Sequence, residues 1–531
     1  MASRLTPLAK LLLTVLIVGA LAFAGKYILD NTEFGRNLFN GNGDTDIATV
    51  DDDNRRDTDR RTDTADGDCP TIRVGVVDWG GYAGGQYFNE GFRANRDSRF
   101  YKDYGFQVDF KVLNDFVASR EAWKSGEVDL LWATIDAFPT EVNDLSKQGY
   151  DPVVVFQSDW SRGGDAIVVR RGINRVSDLK GKTIAVAELT PSHSFLIWLL
   201  NAGNLSTKDV TIVPQANAID AAKAFQAGRV DAAVVWSPDD ELSLKAVPGS
   251  RILESTRSAS NIIADVFFAK KDWVEANQDC VAQLYEGWMK GAAEINASDA
   301  AKRKAAKILA DGFEAGVTVD DAYAAINNVR LVTHGDNLNF FGLNGDYRGV
   351  TGQSLYQDME GEYSDLGYID GRVPAWRQVS FPAVVRNAKL SGPENSAERA
   401  REFTEVTEEE ADDAEVIANK PVTINFRTGE FQLDENAKYI IDREFVPIAQ
   451  AFSNARVRIE GNTDNVGSAS SNIALSRKRA ESVRDYLVQE YGFPRNRFIV
   501  VGNGPNEPIA SNNDPAGRAK NRRTDFQLVR D

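Results

Sequence analysis

Cysteine and histidine are almost missing from this chain: Cys69, Cys280, His193 and His334 are all there is in 531 residues. So thin a supply argues against a Cys/His zinc cluster and against a histidine-supplied catalytic centre, so the expectation is no metal, no cofactor and no enzymatic activity. The two cysteines could pair in an oxidising compartment or stay as separate thiols; proximity decides that, and a sequence does not display it. Surplus positive charge is lacking too. The net charge is −17, whereas nucleic acid and anionic lipid headgroups want clustered Lys and Arg. Apolar content is nonetheless of globular size, 42%, and the length calls for two or three domains rather than one core.

Long apolar runs are scarce except at the N-terminus. Arg4 and Lys10 precede the run Leu11 to Ala24, and Tyr27-Ile28-Leu29 continue it past Lys26. Two readings stand. A cleaved signal peptide fits the small-residue end Ala22-Phe23-Ala24. An uncleaved signal-anchor at 11–29 needs about 20 residues to span a bilayer, and Lys26 can snorkel to the interface. Basic residues ahead of the run would keep residues 1–10 cytoplasmic and send the rest outward.

Two acidic stretches divide the remainder of the chain. Residues 41–68 hold ten Asp and four Arg with almost nothing apolar, so 30–68 is expected to be an extended, self-repelling linker. Glu394 to Glu415 holds ten acids against two arginines, and 391–419 is expected to be a second linker, helical in part. Between them lies a domain at 69–390, and beyond them one at 420–531.

The domain at 69–390 alternates strand and helix signals. Strands are expected at Ile72–Val77, Val108–Leu113, Val128–Trp132, Val153–Phe156, Ala166–Val169, Thr183–Val186, Val210–Val213 and Ala232–Trp236, with helices such as Ser192–Asn201 and Ile219–Ala227 between. Repeated β-α-β units predict an α/β fold with mostly parallel sheets, and ligands in such folds sit beyond the C-terminal strand ends. That places the candidates: Asp78, Trp79, Gly80, Gly81 and Tyr82 after the first strand; Trp132, Thr134 and Asp136 after the third; Asp159, Trp160, Arg162 and Asp165 farther on; Trp236, Asp239 and Asp240 after the last. Thr190-Pro191-Ser192-His193-Ser194 opens a helix, with Thr190 as the expected N-cap and free N–H groups suited to an anion. Gly80-Gly81 is expected to let backbone approach a ligand closely. Four tryptophans, Trp79, Trp132, Trp160 and Trp236, could wall in a planar ring or a cation. Each is equally explicable as packing, and His193 as a hydrogen-bonded helix-start residue. The nearby carboxylates, with Arg162 alone as an anion clamp, favour an amine-bearing or aromatic small molecule over a bare oxyanion.

Several phrases here carry a resemblance. They are Lys124-Ser125-Gly126-Glu127-Val128-Asp129, Gln226-Ala227-Gly228-Arg229-Val230-Asp231, Val176-Ser177-Asp178-Leu179-Lys180-Gly181-Lys182-Thr183, and Phe267-Phe268-Ala269-Lys270-Lys271-Asp272-Trp273. In this order they resemble the periplasmic solute-binding proteins of ABC importers, of the nitrate/sulfonate/taurine and thiamine-precursor type. The resemblance implies two α/β lobes joined by a hinge, about 69–160 plus 262–390 and about 161–261, closing over a small molecule for a permease.

The domain at 420–531 is read as α+β, with strands at Val422–Phe426, Arg456–Glu460, Phe498–Val501 and Asp525–Val529 and a helix from Asn472 to Tyr491 whose Ile473, Ala480, Val483 and Leu487 face the sheet. The turn Gly461-Asn462-Thr463-Asp464-Asn465-Val466-Gly467 carries one carboxylate, and Arg479 follows fifteen residues later. Such a pair can hold a ligand with both an ammonium and a carboxylate. With Asn472, Leu475-Ser476-Arg477-Lys478-Arg479 and Asn521-Arg522-Arg523, the stretch resembles the OmpA-like peptidoglycan-binding domain. The resemblance implies that Asp464 accepts the ammonium of diaminopimelate and Arg479 grips its carboxylate, with Thr463, Asn472, Leu475 and Arg522 framing the pocket. Asn462 departs from the family, which commonly has His there.

Joined, these readings predict a single-pass protein of the bacterial inner membrane, its bulk in the periplasm, capturing a solute for an ABC importer or envelope sensor while holding the wall. The alternative is a structural wall anchor or scaffold whose central domain binds a protein.

Overall fold

The computed structural model describes residues 69–531 apart from 314–315, 407–413, 425, 427–428 and 531. The expected tip at 1–10, the span at 11–29 and the linker at 30–68 lie outside the described residues. No helix among the described residues is long and apolar enough to cross a membrane.

Two sheets form the central domain. The first contains β1 (Ile72–Val76), β2 (Val108–Val112), β3 (Leu130–Thr134), β4 (Pro152–Ser161), β10 (Ala264–Lys270) and β11 (Val329–Leu331), in the order β11-β4-β10-β3-β1-β2. The second contains β5 (Asp165–Val169), β6 (Thr183–Ala187), β7 (Thr211–Gln215), β8 (Ala232–Trp236) and β9 (Arg251–Ser255), in the order β7-β6-β8-β5-β9. The chain crosses from one sheet to the other between β4 and β5 and returns between β9 and β10, so two lobes share two crossings.

The expectation of mostly parallel sheets needs correction. β1 pairs in parallel with β2 and β3, and β6 with β7 and β8, as β-α-β units require. The strands next to the crossings run antiparallel: β10 against β3 and β4, β11 against β4, and β5 against β8 and β9. Each lobe is therefore a mixed sheet. A disulfide joins Cys69, ahead of β1, to Cys280 on the helix Gln278–Ala297, which settles the open pairing in favour of a bond.

The C-terminal sheet is β12 (Val416–Val422), β15 (Thr524–Val529), β13 (Arg456–Asn462) and β14 (Phe498–Gly504), in that order. The first strand ends at Val422 instead of beginning there. Pro421 is tolerated because β12 is an edge strand, with one side free of ladder bonds. Helix Ala469–Tyr491 starts three residues earlier than expected, capped by Ser468, whose hydroxyl accepts from Ser471 N. Its Ala480, Val483 and Leu487 are buried against the sheet, while Ile473 sits at the rim, 40% exposed. Gly461 lets that helix come close: a Cβ there would lie 2.1 Å from Ser476 O. Arg497 is wholly buried, donating to the carbonyls of Ala449, Phe452 and Ala455.

The second acidic stretch, where described, is not a free spacer. Glu398 pairs with Arg162 at 2.9 Å, Ser396 O accepts from Thr333 Oγ1, and Glu415 bridges Arg251 and Arg530. Two of its acids, Glu398 and Glu415, find arginines on the folded domains. The two domains meet along this stretch and at the return crossing. Asn261 N donates to Ala451 O at 3.0 Å, Ser453 Oγ meets Ser260 and Asn261, Arg530 donates to Leu253 O, and Gln450 donates to Arg348 O.

Candidate functional site

Strand pairing builds the cleft. In β4, β10 and β3, Asp159, Asp265 and Thr134 lie directly opposite one another, so their side chains share one face of the sheet. Trp132, two residues before Thr134, is on that face too. Tyr82 donates to Asp265 Oδ1 at 2.6 Å. The Trp79 indole N–H donates to Asp159 Oδ1 at 3.2 Å, and Ser158 Oγ donates to Oδ2 at 3.0 Å. Asp165 opens β5, opposite Trp236 of β8, and accepts from Ser161 Oγ at 2.8 Å. Asp136 follows β3 and faces Ser194 in the first turn of helix Pro191–Ala202 across the lobes.

All four carboxyls, Asp136, Asp159, Asp165 and Asp265, are buried. Burial disfavours their charged forms and, with mutual repulsion, pushes Asp136, Asp159 and Asp165 up to about 7 and Asp265 well above its ordinary value. Neutral donors pull the other way: Ser194 and Thr134 on Asp136, Trp79 on Asp159, Trp236 on Asp165, and Tyr82 on Asp265. No arginine or lysine is among the principal groups acting on any of them. Several polar atoms in this region are buried without a well-formed hydrogen bond: both Asp136 oxygens, Asp165 Oδ1, Thr134 Oγ1, Ser192 Oγ and the Trp132 indole nitrogen. Buried polar atoms are seldom left so, and each asks for a partner.

An aromatic wall stands beside them. Phe116 meets Trp132 edge-on with centroids 5.2 Å apart and reaches Trp236 of the other lobe at 6.5 Å. The Arg120 guanidinium lies 5.0 Å from the Trp132 centroid, held by two 2.8 Å bonds to Glu141. His193 is wedged between Tyr363 and Tyr368, accepts from Leu189 N, and is held down to about 4 by desolvation, hence neutral.

Other expected site residues go elsewhere. Trp160 follows Asp159 in β4, so the pleat turns it to the opposite face, where it packs on Phe340. There it lines a cavity of about 650 Å³ between the central and C-terminal domains, together with Arg162, Tyr347, Phe403 and Phe493. Arg162 is no anion clamp: it is spent on Ser260 O and Glu398. Asp78 exchanges hydrogen bonds with Asn114. Gly80 and Gly81 admit protein, not ligand: a Cβ on Gly80 would lie 2.4 Å from Ala325 backbone, and one on Gly81 1.9 Å from Asp159 Oδ2. Thr190 occupies the N-cap position, but its hydroxyl donates to Ala187 O instead of capping the helix. Asp239 and Asp240 begin helix Asp239–Ala246, and Asp240 raises Asp165 from a distance. Phe116, Arg120, Asp265 and Tyr363 are not among the residues the sequence singles out. Only Asp265 leaves a signal there, a lone acid in Ala264-Asp265-Val266-Phe267-Phe268.

In the C-terminal domain the expected set converges. Asp464 sits in the turn after β13; its Oδ1 accepts from Val466 N at 3.1 Å and its Oδ2 pairs with Arg522 at 2.7 Å. Asn472 Nδ2 holds the turn by donating to the carbonyls of Asp464 and Val466, and Thr463 Oγ1 donates to Asp464 O. Arg479 lies 4.8 Å from the Phe426 centroid and donates to Glu430 O. Burial and the neighbouring Arg522 lower its pKa while Asp464 raises it. Leu475 is half-buried one turn before Arg479. Asn462, in place of the family's histidine, donates to Asp525 Oδ2 at 3.1 Å inside the fold. One carboxylate flanked by two guanidiniums complements a zwitterion.

Two stretches of the chain match known families. Residues 425–522 match the OmpA family, and residues 91–300 match the NMT1/THI5 like family. Peptidoglycan-binding protein ArfA of Mycobacterium tuberculosis is 47% identical over 90 residues, 17% of this chain and 27% of that protein. Outer membrane porin F of Pseudomonas aeruginosa is 34% identical over 115 residues, 22% of this chain and 32% of that protein. The chain thus spans about a third or less of these relatives. The solved alkanesulfonate-binding protein SsuA of Xanthomonas axonopodis pv. citri, bound to MOPS, overlays 59% of this chain and 98% of its own with a TM-score of 0.45 at 18% identity. The chain therefore joins a stretch that matches the NMT1/THI5 like family to a C-terminal stretch that matches the OmpA family.

Proposed function

We propose that this protein is a solute receptor of the bacterial envelope tied to the cell wall: the central lobes capture a small molecule while the C-terminal pocket holds diaminopimelate of peptidoglycan. The observation that carries the reading is a pair of separate polar sites in one chain. The pocket of Asp464, Arg479 and Arg522 offers a carboxylate and two guanidiniums to a zwitterion. The cleft offers buried, unpartnered polar atoms at strand ends, where α/β folds bind their ligands. In this reading Arg522 keeps Asp464 company until the ligand's ammonium replaces it, and Arg479 takes the ligand's carboxylate.

The N-terminal segment 11–29 anchors the chain in the inner membrane, and 30–68, about forty residues, reaches on the order of 130 Å when extended. An ABC permease or a sensory partner would receive the captured solute. Two measurements test this. Purified peptidoglycan should sediment the full-length chain, and native mass spectrometry of that chain from its own periplasm should show a bound small molecule. A chain that sediments but carries and binds no solute would instead be a wall anchor whose central domain meets a protein.

A further inference from the structure

Resting on the reading of the central lobes as a solute receptor, we infer that the cleft takes an organic dication, two protonated amines on a short apolar stem, in exchange for protons. The geometry leads there. Asp159 and Asp265 stand side by side on the first lobe, Asp136 lies beyond the end of β3, and Asp165 comes from the second lobe. Four buried carboxyls with no lysine or arginine among the principal groups acting on them lack what buried acids ordinarily have, a cationic partner. Beside the acids, Ser192 Oγ and the Trp132 indole nitrogen are each more than nine-tenths buried and without a hydrogen-bond partner. Thr134 is on the same sheet face as Asp159 and Asp265, as is Trp132, and the Thr134 hydroxyl acts on Asp136. The Ser192 hydroxyl and the orphan oxygens of Asp136 and Asp165 can accept from a nitrogen cation, whereas a sulfonate or carboxylate would meet four acids. The wall of Trp132, Phe116 and Trp236 gives the stem an apolar surface, and it already accommodates a cation, the Arg120 guanidinium. Among the described residues no cluster of His, Cys, Asp and Glu is arranged to hold a metal ion, so the cation is organic.

The proton exchange arises from the surroundings. Burial opposes the charge, so Asp136 and Asp165 hold their protons up to about pH 7. A dication restores the opposite charge, so protons leave as it enters. The other charged or titratable groups facing the cluster do not compete. Arg120 is committed to Glu141, and Tyr82 is raised well above its ordinary value. Tyr363 is raised as well. His193 is neutral, with Glu188 beside it held by Tyr368. On the far side, Asp240 adds a further negative charge and Arg257 acts on it.

Titration calorimetry of the full-length chain in mild detergent tests this, with 1,4-diaminobutane, n-butylamine and 1,4-butanediol as probes. All amine nitrogens stay protonated between pH 6 and 8. Expected are saturable binding of the diamine, weaker binding of the monoamine by about tenfold or more, and none of the diol. Below about pH 7, affinity for the diamine should rise by up to about tenfold per pH unit for each proton released, and level off above it. The heat should change with the ionisation enthalpy of the buffer, a readout that needs no variant. Asp136→Asn and Asp165→Asn should each weaken binding about tenfold with folding intact. Diamine binding no better than diol binding, a heat independent of buffer, or variants that bind like the parent would overturn the inference. Capture of a sulfonate or pyrimidine by the same chain without diamine binding would overturn it and leave the receptor reading standing; no solute of any class bound would remove both.

Discussion

Replacing Asp464 by Asn isolates the charge at the wall pocket from its architecture. The amide keeps the size of the carboxyl and an oxygen for Val466 N, and Asn472 and Thr463 hold the turn through backbone carbonyls, which the change leaves alone. The folded domain loses one ion pair, that with Arg522, whose side chain is 47% exposed. Exposed pairs contribute about 0 to 1 kcal/mol, so the melting temperature should hardly move. Binding is another matter. Asp464 itself is nearly buried, and losing a charged acceptor from a buried pair costs roughly 2 to 5 kcal/mol. At about 1.4 kcal/mol per factor of ten, affinity should fall by at least about 25-fold. The assay is sedimentation of the full-length chain with purified peptidoglycan, followed by calorimetry with a diaminopimelate-bearing muropeptide and with a lysine-bearing one. The reasoning fails if the variant sediments like the parent. It fails equally if binding is lost only because the domain melts several degrees earlier, since the carboxylate would then be bracing the fold.

The same geometry sets further outcomes. Asp136, Asp159 and Asp165 sit at about 7 when folded and ionise near 4 when unfolded. The folded chain therefore holds protons that the unfolded chain has released. Their contribution is full below about pH 4 and fades as pH rises toward 7, so the solute-free chain should melt lower at pH 8 than at pH 5.5 by calorimetry. Gly81→Ala puts a methyl 1.9 Å from the Asp159 carboxylate and should cost about 1 to 3 kcal/mol in urea unfolding of the central domain. Reducing the Cys69–Cys280 bond, which spans 211 residues, should destabilise that domain by about 2 to 5 kcal/mol in the same assay. Arg497→Met leaves the carbonyls of Ala449, Phe452 and Ala455 without their donor and should destabilise the C-terminal domain by about 2 kcal/mol or more, read from its melting transition.

Much of the scaffold can be read from residue order because it is local. Eight strands of the two lobes are legible as apolar runs such as Ala232–Trp236, and the turn from Gly461 to Gly467 stands out by its single carboxylate. What stays hidden depends on the pleat and on distant pairings. Asp159 and Trp160 look like one site in the sequence, yet alternation sends them to opposite faces of β4. Gly80-Gly81 signals close approach, but not that Ala325 and Asp159 are what approach. Phe116 and Tyr363 join the cleft only because lobe packing carries them there. The mixed sheets arise because the strands beside the two crossings pair antiparallel, a fact of topology absent from any local pattern.

The C-terminal domain docks on the return crossing and on both lobes. Residues just ahead of β13 grip the return crossing through Ala451 and Ser453, and Arg530 and Glu415 grip the second lobe. Gln450, through Arg348 O, joins the domain to the later part of the first lobe. The wall pocket lies at the far end of β13, seven residues or roughly 20 Å along the strand. In the proposed arrangement, a chain seated on peptidoglycan has both lobes and the return crossing braced against the domain that holds the wall. Because Arg348, Arg330 and Thr333 of the first lobe are held as well, any change in the angle between the lobes would have to break contacts on one side of this docking.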